Sequence, residues 1–310
     1  MVDYRLKPRI VIICGPTGIG KTTVAMHLAR RFSGEIVGAD SMQIYRYMDV
    51  GTAKPTPAEQ AHVKHHMIDI VDPDAHFNAA MYEKLGRERV DQIHKAANSV
   101  FVVGGTGLYI KALVAGLFKS RPTDVKIWKR LNSEVDKQGI APLYQRLEQA
   151  DPEAARRIHP NDAYRIVRAL ELFESTGKTI SAFHGEHGFS DTPFKTLKIG
   201  LHTARETLYD RIDQRVLQMV DEGLLSEVEA LLERGYGSEL KSMQALGYRH
   251  MIGFIQKQLP WEETIVAMQR DTRRYAKRQM TWFRTDPEVV WHTPDESERI
   301  GERIATFLGV

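Results

Sequence analysis

Residues Gly15–Thr22 read GPTGIGKT, an instance of G-x-x-x-x-G-K-[ST] placed directly after an apolar run and directly before helical spacing. Glycines in such a turn let successive backbone N–H groups point at phosphate oxygens, and a helix beginning there adds positive potential. Gly15, Pro16, Thr17, Gly18, Ile19 and Gly20 form the cradle, Lys21 brings a point charge, and the Thr22 hydroxyl suits Mg²⁺. A glycine-rich turn with no chemical purpose is the plainer alternative. The dinucleotide fingerprint G-x-G-x-x-G is excluded, because Gly18-Ile19-Gly20-Lys21-Thr22-Thr23 lacks its last glycine. The cradle specifies phosphate and not a reaction. An NTPase or kinase also needs an acid at a later strand end, yet VFVVGGTGLY ends in Gly-Gly-Thr. That gap points away from ATP hydrolysis.

Three more side chains could act on a phosphorylated ligand. Asp40 opens Asp40-Ser41-Met42-Gln43, where an acid followed three residues later by Gln reads either as a capping box or as a general base. Thr106, in GGTGLY, reads as a turn residue or as a site residue. Arg211 and Arg215 lie four apart on one helical face, where solvated arginines are the usual outcome.

These residues need elements to hold them. Arg9–Cys14 (RIVIIC) has the β-branched, continuous apolar character of a buried parallel strand. Thr22–Phe32 has helical spacing, Glu35–Ala39 is a second strand, and a third covers Asn98–Val103. Strands alternating with helices predict an α/β fold: a P-loop NTPase-like, mostly parallel sheet flanked by helices. Ligands in such sheets bind beyond the carboxyl ends of the strands, and Gly15, Asp40 and Thr106 each follow one. From Arg121 to His187 strand signals vanish and Pro122, Pro142, Pro152 and Pro160 punctuate short helices. The expected organisation is a discontinuous core, 1–120 and 188–310, with a small all-helical insertion domain at 121–187. TLKIGLH returns the chain to the sheet, and amphipathic helices run from Arg205 to Arg284.

With 310 residues, 42% hydrophobic and 27% charged, the composition is that of a soluble globular protein. No apolar run suggests a membrane span and the start carries no signal pattern, so the expected location is the cytoplasm. Cys14 is the only cysteine, which excludes intramolecular disulfides and cysteine-rich zinc sites; its apolar neighbours predict a buried thiol. A net charge of +3 does not announce a nucleic-acid partner, but Arg270–Arg284 sets six Lys or Arg residues against one Asp, with Tyr275, Trp282 and Phe283 interleaved.

GPTGIGKT, GADSMQIYRYMDVGTAKPT, HHMIDIVDP, VVGGTGLYIKAL, RALELFESTGKT, LYDRIDQRV, MQALGYRHM and TRRYAKRQMTWFR follow one another along nearly the whole chain. In these blocks the sequence closely resembles the tRNA dimethylallyltransferases, also called isopentenyl-tRNA transferases. The resemblance implies transfer of a dimethylallyl group from dimethylallyl diphosphate to the exocyclic amine of the adenosine 3′ to the anticodon, with release of pyrophosphate. It puts the donor's diphosphate on Gly15–Thr22, Mg²⁺ at Thr22, the general base on Asp40, its threonine partner on Thr106 and a pyrophosphate-binding arginine on Arg215. It assigns contacts with the tRNA anticodon stem-loop to Asp40, Ser41, Met42, Gln43 and Thr106, to Tyr164, Arg165, Ile166, Val167 and Arg168, and to Gln244, Ala245, Leu246, Gly247, Tyr248 and Arg249. Arg273, Lys277 and Arg278 extend that surface. The chain departs from the family pattern at Thr17-Gly18-Ile19, at Met81-Tyr82 in place of Asp-Phe, at Trp128 in place of an arginine, and at Tyr164 in place of a frequent glutamine. A single cysteine cannot supply the zinc finger of eukaryotic relatives, so the resemblance is to the bacterial type, expected to act as a monomer. The rival expectation is a small-molecule kinase using ATP at the same loop, which leaves the basic C-terminal half without a role.

Overall fold

The computed structural model describes residues 7–117, 124–187 and 191–310. The boundaries expected at Arg121 and Pro122, and the core's resumption at residue 188, lie outside them. By compactness the chain divides into two units, Met1–Val114 with Thr192–Val310, and Ala115–Asp191.

The first unit is built on six parallel strands: β1 (Arg9–Cys14), β2 (Gly34–Gly38), β3 (His65–His66), β4 (Ser99–Gly104), β5 (Lys195–Leu201) and β6 (Val289–His292), in the spatial order β3-β2-β4-β1-β5-β6. The continuous apolar run of β1 has its cause in this order. Flanked by β4 and β5 and covered on both faces, the strand buries every residue from Ile10 to Cys14. Alternate residues feed two cores. Ile10, Ile12 and Cys14 pack with Val100, Val102, Tyr82 and Tyr109 on one side, while Val11 and Ile13 pack with Leu28, Phe101, Ile199 and Ile304 on the other. Burial lifts the Cys14 thiol to about 12, so it is an inert core group, as its neighbours predict.

Strands β3 and β6 are too short to leave a pattern in the sequence, and the helices Ala79–Lys95 and Ser297–Leu308 complete the layers. The amphipathic C-terminal half forms Arg205–Asp221, Leu224–Glu233, Tyr248–Ile255 and the 24-residue helix Trp261–Arg284. Within the second unit the described residues form only helices, Val125–Gln138, Ala141–Ala150, Pro152–Arg157, Ala163–Thr176 and Ile180–His187, around Leu131, Leu143, Leu147, Ile166 and Leu170. Pro142 and Pro152 sit in first turns, where a missing N–H costs nothing.

Candidate active site

The P-loop lies between the end of β1 and the helix Lys21–Arg31. Gly18 (φ 78°) and Gly20 (φ 96°) hold left-handed conformations that other residues resist, and the loop's curvature depends on them. Ile19 does not face the ligand side; it is fully buried in the second core. Lys21 donates to the Pro16 carbonyl at 2.7 Å, and burial, reinforced by the Arg215 charge, drops its pKa to about 8. Arg215 is likewise disfavoured as a cation, first by burial, although Asp40 offsets this. Two buried cations, balanced only in part by Asp40, make this end of the cleft favourable for a further anion.

Thr17, Gly18, Gly20, Lys21, Thr22, Asp40, Arg215, Tyr275 and Gln279 all line one cavity of about 170 Å³. A second, of about 320 Å³, is lined by Ser41, Met42, Ile212, Val216, Met219, Gln244, Ala245, Leu246, Tyr248, Arg249, Met268 and Arg278. Thr17, Asp40, Thr52, Arg215 and Tyr275 line both, so the two chambers meet at the acid and the arginine.

The two oxygens of Asp40 stand in different surroundings. Oδ1 accepts from Met42 N at 2.8 Å and Gln43 N at 3.3 Å, but these cap a run of turns and not the helix a capping box predicts. Oδ2 takes no hydrogen bond among the described residues and remains available for a ligand. Thr106 serves as a turn residue here: its Oγ1 accepts from Ser41 N at 3.0 Å, its backbone N–H donates to Ala39 O at 3.1 Å, and its carbonyl accepts from Tyr109 N and Ile110 N at the start of the next helix, while it lines neither cavity itself. The two glycines that leave β4 without an acid make this possible, because any Cβ on Gly104 would stand 2.1 Å from Ala39 O. The arginine pair separates, with Arg211 exposed and Arg215 in the cleft.

Not every expected contact residue can touch a ligand. Ile166 and Val167 are fully buried in the helical unit, so of 164–168 only Tyr164, Arg165 and Arg168 reach the surface. Two of these are paired there, Arg165 with Asp162 and Arg168 with Glu171. Tyr164 is 68% exposed and meets Trp128 edge-on at 5.4 Å. Arg273 is tied to Asp213 at 2.5 Å, whereas Lys277 and Arg278 are exposed. Arg249 pairs with Asp271, and Gln43 donates its amide to the Thr52 and Ala53 carbonyls. Of the aromatics interleaved in Arg270–Arg284, Phe283 packs into the core, Tyr275 faces the cleft and only Trp282 is exposed.

Several site residues carry no signal of their own in the sequence. Glu227 accepts backbone N–H groups from Asp49, Val50 and Gly51 and the Tyr248 hydroxyl, all between 2.6 and 3.1 Å. Tyr82 donates to Gly38 O, bracing β2 two residues before Asp40, a bond only a tyrosine hydroxyl can make at that position; nothing in the structure explains Met81. Burial opposes the charge on Glu35, but bonds from His66, Asn98 and Lys64 outweigh it and hold its pKa below the usual range beside the first cavity. Among the described residues no cluster of three acid, histidine or cysteine side chains could hold a metal. Thr22 in the cradle is an oxygen ligand of the kind a hard cation shares with a substrate's phosphates, so these residues fit a divalent ion that arrives with its ligand.

Residues 43–286 match the family described as IPP transferase. The chain belongs to this family, the tRNA dimethylallyltransferases. It is 52% identical over 97% of its length to the tRNA dimethylallyltransferase of Desulfosudis oleivorans, covering 96% of that protein. Its fold is similar to the tRNA isopentenylpyrophosphate transferase of Bacillus halodurans, with a TM-score of 0.73 and 38% identity across 98% of this chain and 97% of that one. A eukaryotic dimethylallyltransferase described as acting on tRNA aligns with a TM-score of 0.76 and 30% identity, over 89% of this chain and 69% of its own. The family is one of prenyl transferases built on a P-loop NTPase-like sheet, and the kinase expectation finds no support in these relatives. Among the described residues no helix is long and apolar enough to cross a membrane.

Proposed function

We propose that this chain transfers the dimethylallyl group of dimethylallyl diphosphate to the exocyclic amine of the adenosine 3′ to the anticodon in tRNA. The observation that carries the residue assignment is the meeting of two chambers at Asp40 and Arg215, one containing the P-loop and the other more apolar and flanked by exposed basic residues. The diphosphate occupies the first chamber on the backbone of Gly15–Gly20, with Lys21, Thr22 and Arg215. The adenine enters the second, past Gln244, Arg249, Lys277 and Arg278, and reaches it by leaving its stack.

An adenine amine is a weak nucleophile because its lone pair is delocalised into the ring. As the nitrogen bonds to the allylic carbon, the carbon–oxygen bond to the diphosphate breaks and Asp40 takes the amine proton through Oδ2. Thr106 holds the turn that aims this carboxylate. Charge growing on the leaving pyrophosphate is met by fixed amides, Lys21 and Arg215, whose stabilisation is worth most when the leaving group is most negative. Thr22 would help to hold a Mg²⁺ ion, which would supply further neutralisation of the leaving group. The chain acts as a monomer in the cytoplasm, its 121–187 segment being an inserted domain that offers Tyr164, Arg165 and Arg168 to the RNA.

The test is incubation with radiolabelled dimethylallyl diphosphate, unmodified tRNA and Mg²⁺. Label in tRNA supports the reading. Binding of tRNA without transfer, or phosphorylation of a small molecule from ATP, overturns it.

A further inference from the structure

We propose that Gln279 is a positioning residue for the transfer, fixing the P-loop against the turn that supports Asp40; this rests on the donor site assigned above. The side chain is only 6% exposed, and both ends of its carboxamide are used. Oε1 accepts from Thr17 N at 2.8 Å, and Nε2 donates to Gly105 O at 2.9 Å. One planar group therefore ties the loop leaving β1 to the loop leaving β4. Thr17 stands just before the Gly18-Ile19-Gly20 turn, whose two glycines have the left-handed backbone that gives the cradle its shape and little stiffness. An outside anchor on Thr17 sets where the following amides point. The other end reaches Gly105, beside Thr106, whose hydroxyl holds Ser41 N and with it the Asp40 turn. Donor cradle and base are thus held in register by a residue that bonds to neither reacting group.

The amide packs tightly on the Gly105 side. A Cβ on Gly105 would stand 2.1 Å from Gln279 Nε2, so a larger residue there would push the carboxamide off its two partners. Tyr275, one turn earlier on the same helix, directs its hydroxyl toward Thr106 and Gln279. Lys277 and Arg278, just before Gln279 in sequence, are exposed, and Arg278 lines the second chamber. The segment that meets RNA outside is therefore the one that sets the donor site inside.

The experiment compares the full chain with Gln279→Met, which keeps the length and loses both bonds. Inorganic pyrophosphate and an anticodon stem-loop RNA are titrated separately, and donor and tRNA KM are measured. The expected result is about tenfold weaker pyrophosphate binding and a matching rise in donor KM, with stem-loop affinity and tRNA KM within about twofold. Unchanged pyrophosphate binding, or equal losses for both ligands, would overturn the proposal. The pyrophosphate titration needs no turnover, so it stands even if prenyl transfer itself is not observed. Should Gln279→Met not fold by circular dichroism, Gly105→Ala serves instead. It should weaken pyrophosphate binding alone and lose that effect when combined with Gln279→Ala, which vacates the space. Additive losses in the pair would reject the contact as the cause.

Discussion

Asp40 does two jobs with two oxygens, and this decides which substitution tests it. Asp40→Ala would remove the base and also the acceptor for Met42 N and Gln43 N. Asp40→Asn keeps an oxygen for the turn and removes only the proton acceptor. It is expected to slow single-turnover transfer by about 10²–10⁴-fold while stem-loop affinity stays within about twofold; a near-normal rate would reject Asp40 as the base. Lys21 gives a pH signature. Its pKa in the free protein is lowered from 10.5 to about 8, so it is charged below that pH and progressively neutral above it. An anion binds the charged form, so the Lys21 contribution to pyrophosphate affinity should be fully present below about pH 8 and fall by up to about tenfold per unit above it, where binding takes up about one proton. Calorimetry in buffers of different ionisation enthalpy measures both.

Elements matter here for what they hold in place. The helix Leu224–Glu233 contributes one carboxylate, Glu227, that collects three consecutive backbone N–H groups of the Asp49–Gly51 loop. That loop runs into Thr52 and Ala53, whose carbonyls anchor Gln43. Glu227→Ala leaves three amides and the Tyr248 hydroxyl without their acceptor, and should lower unfolding free energy by about 2–4 kcal/mol in urea titrations. Because Gly51, Thr52 and Tyr248 line the second chamber, tRNA KM should rise more than donor KM. Equal effects on both would mean that Glu227 contributes stability alone. The helix Trp261–Arg284 divides its labour by face: Ala276, Gln279 and Phe283 turn inward, while Arg274, Lys277, Arg278 and Trp282 turn outward.

For the molecule as a whole, charge distribution outweighs net charge. A surplus of +3 over 310 residues would not draw RNA, and much of the basic helix is internally compensated, Arg273 by Asp213 and Arg270 and Arg274 by Asp271. Lys277 and Arg278 are exposed, and among the described residues no acid is bonded to either. Replacing both with alanine should weaken stem-loop binding and reduce the slope of log affinity against log salt by about one per residue removed. Arg273→Ala should lower stability and leave the slope unchanged. An unaltered slope in the double variant would take that helix face out of the interface.

The P-loop, the parallel strands β1, β2, β4 and β5, and the buried thiol were legible because each depends on local rules: glycine spacing, β-branched runs and the length of a helical period. The resemblance carried Asp40, Thr106 and Arg215, which spacing alone left open. Folding separated residues that look equivalent in the chain. Arg215 enters the cleft and Arg211 does not, Tyr164 stands out while Ile166 and Val167 pack inward, and Arg273 is spent on Asp213 while Lys277 is not. Gln279 and Glu227 left no local trace, since the backbone groups they hold lie more than 170 positions away in sequence. Short-range stereochemistry writes an element into its own residues. Which of its side chains becomes chemistry depends on what the rest of the chain brings alongside, and only the assembled sheet and its helices decide that.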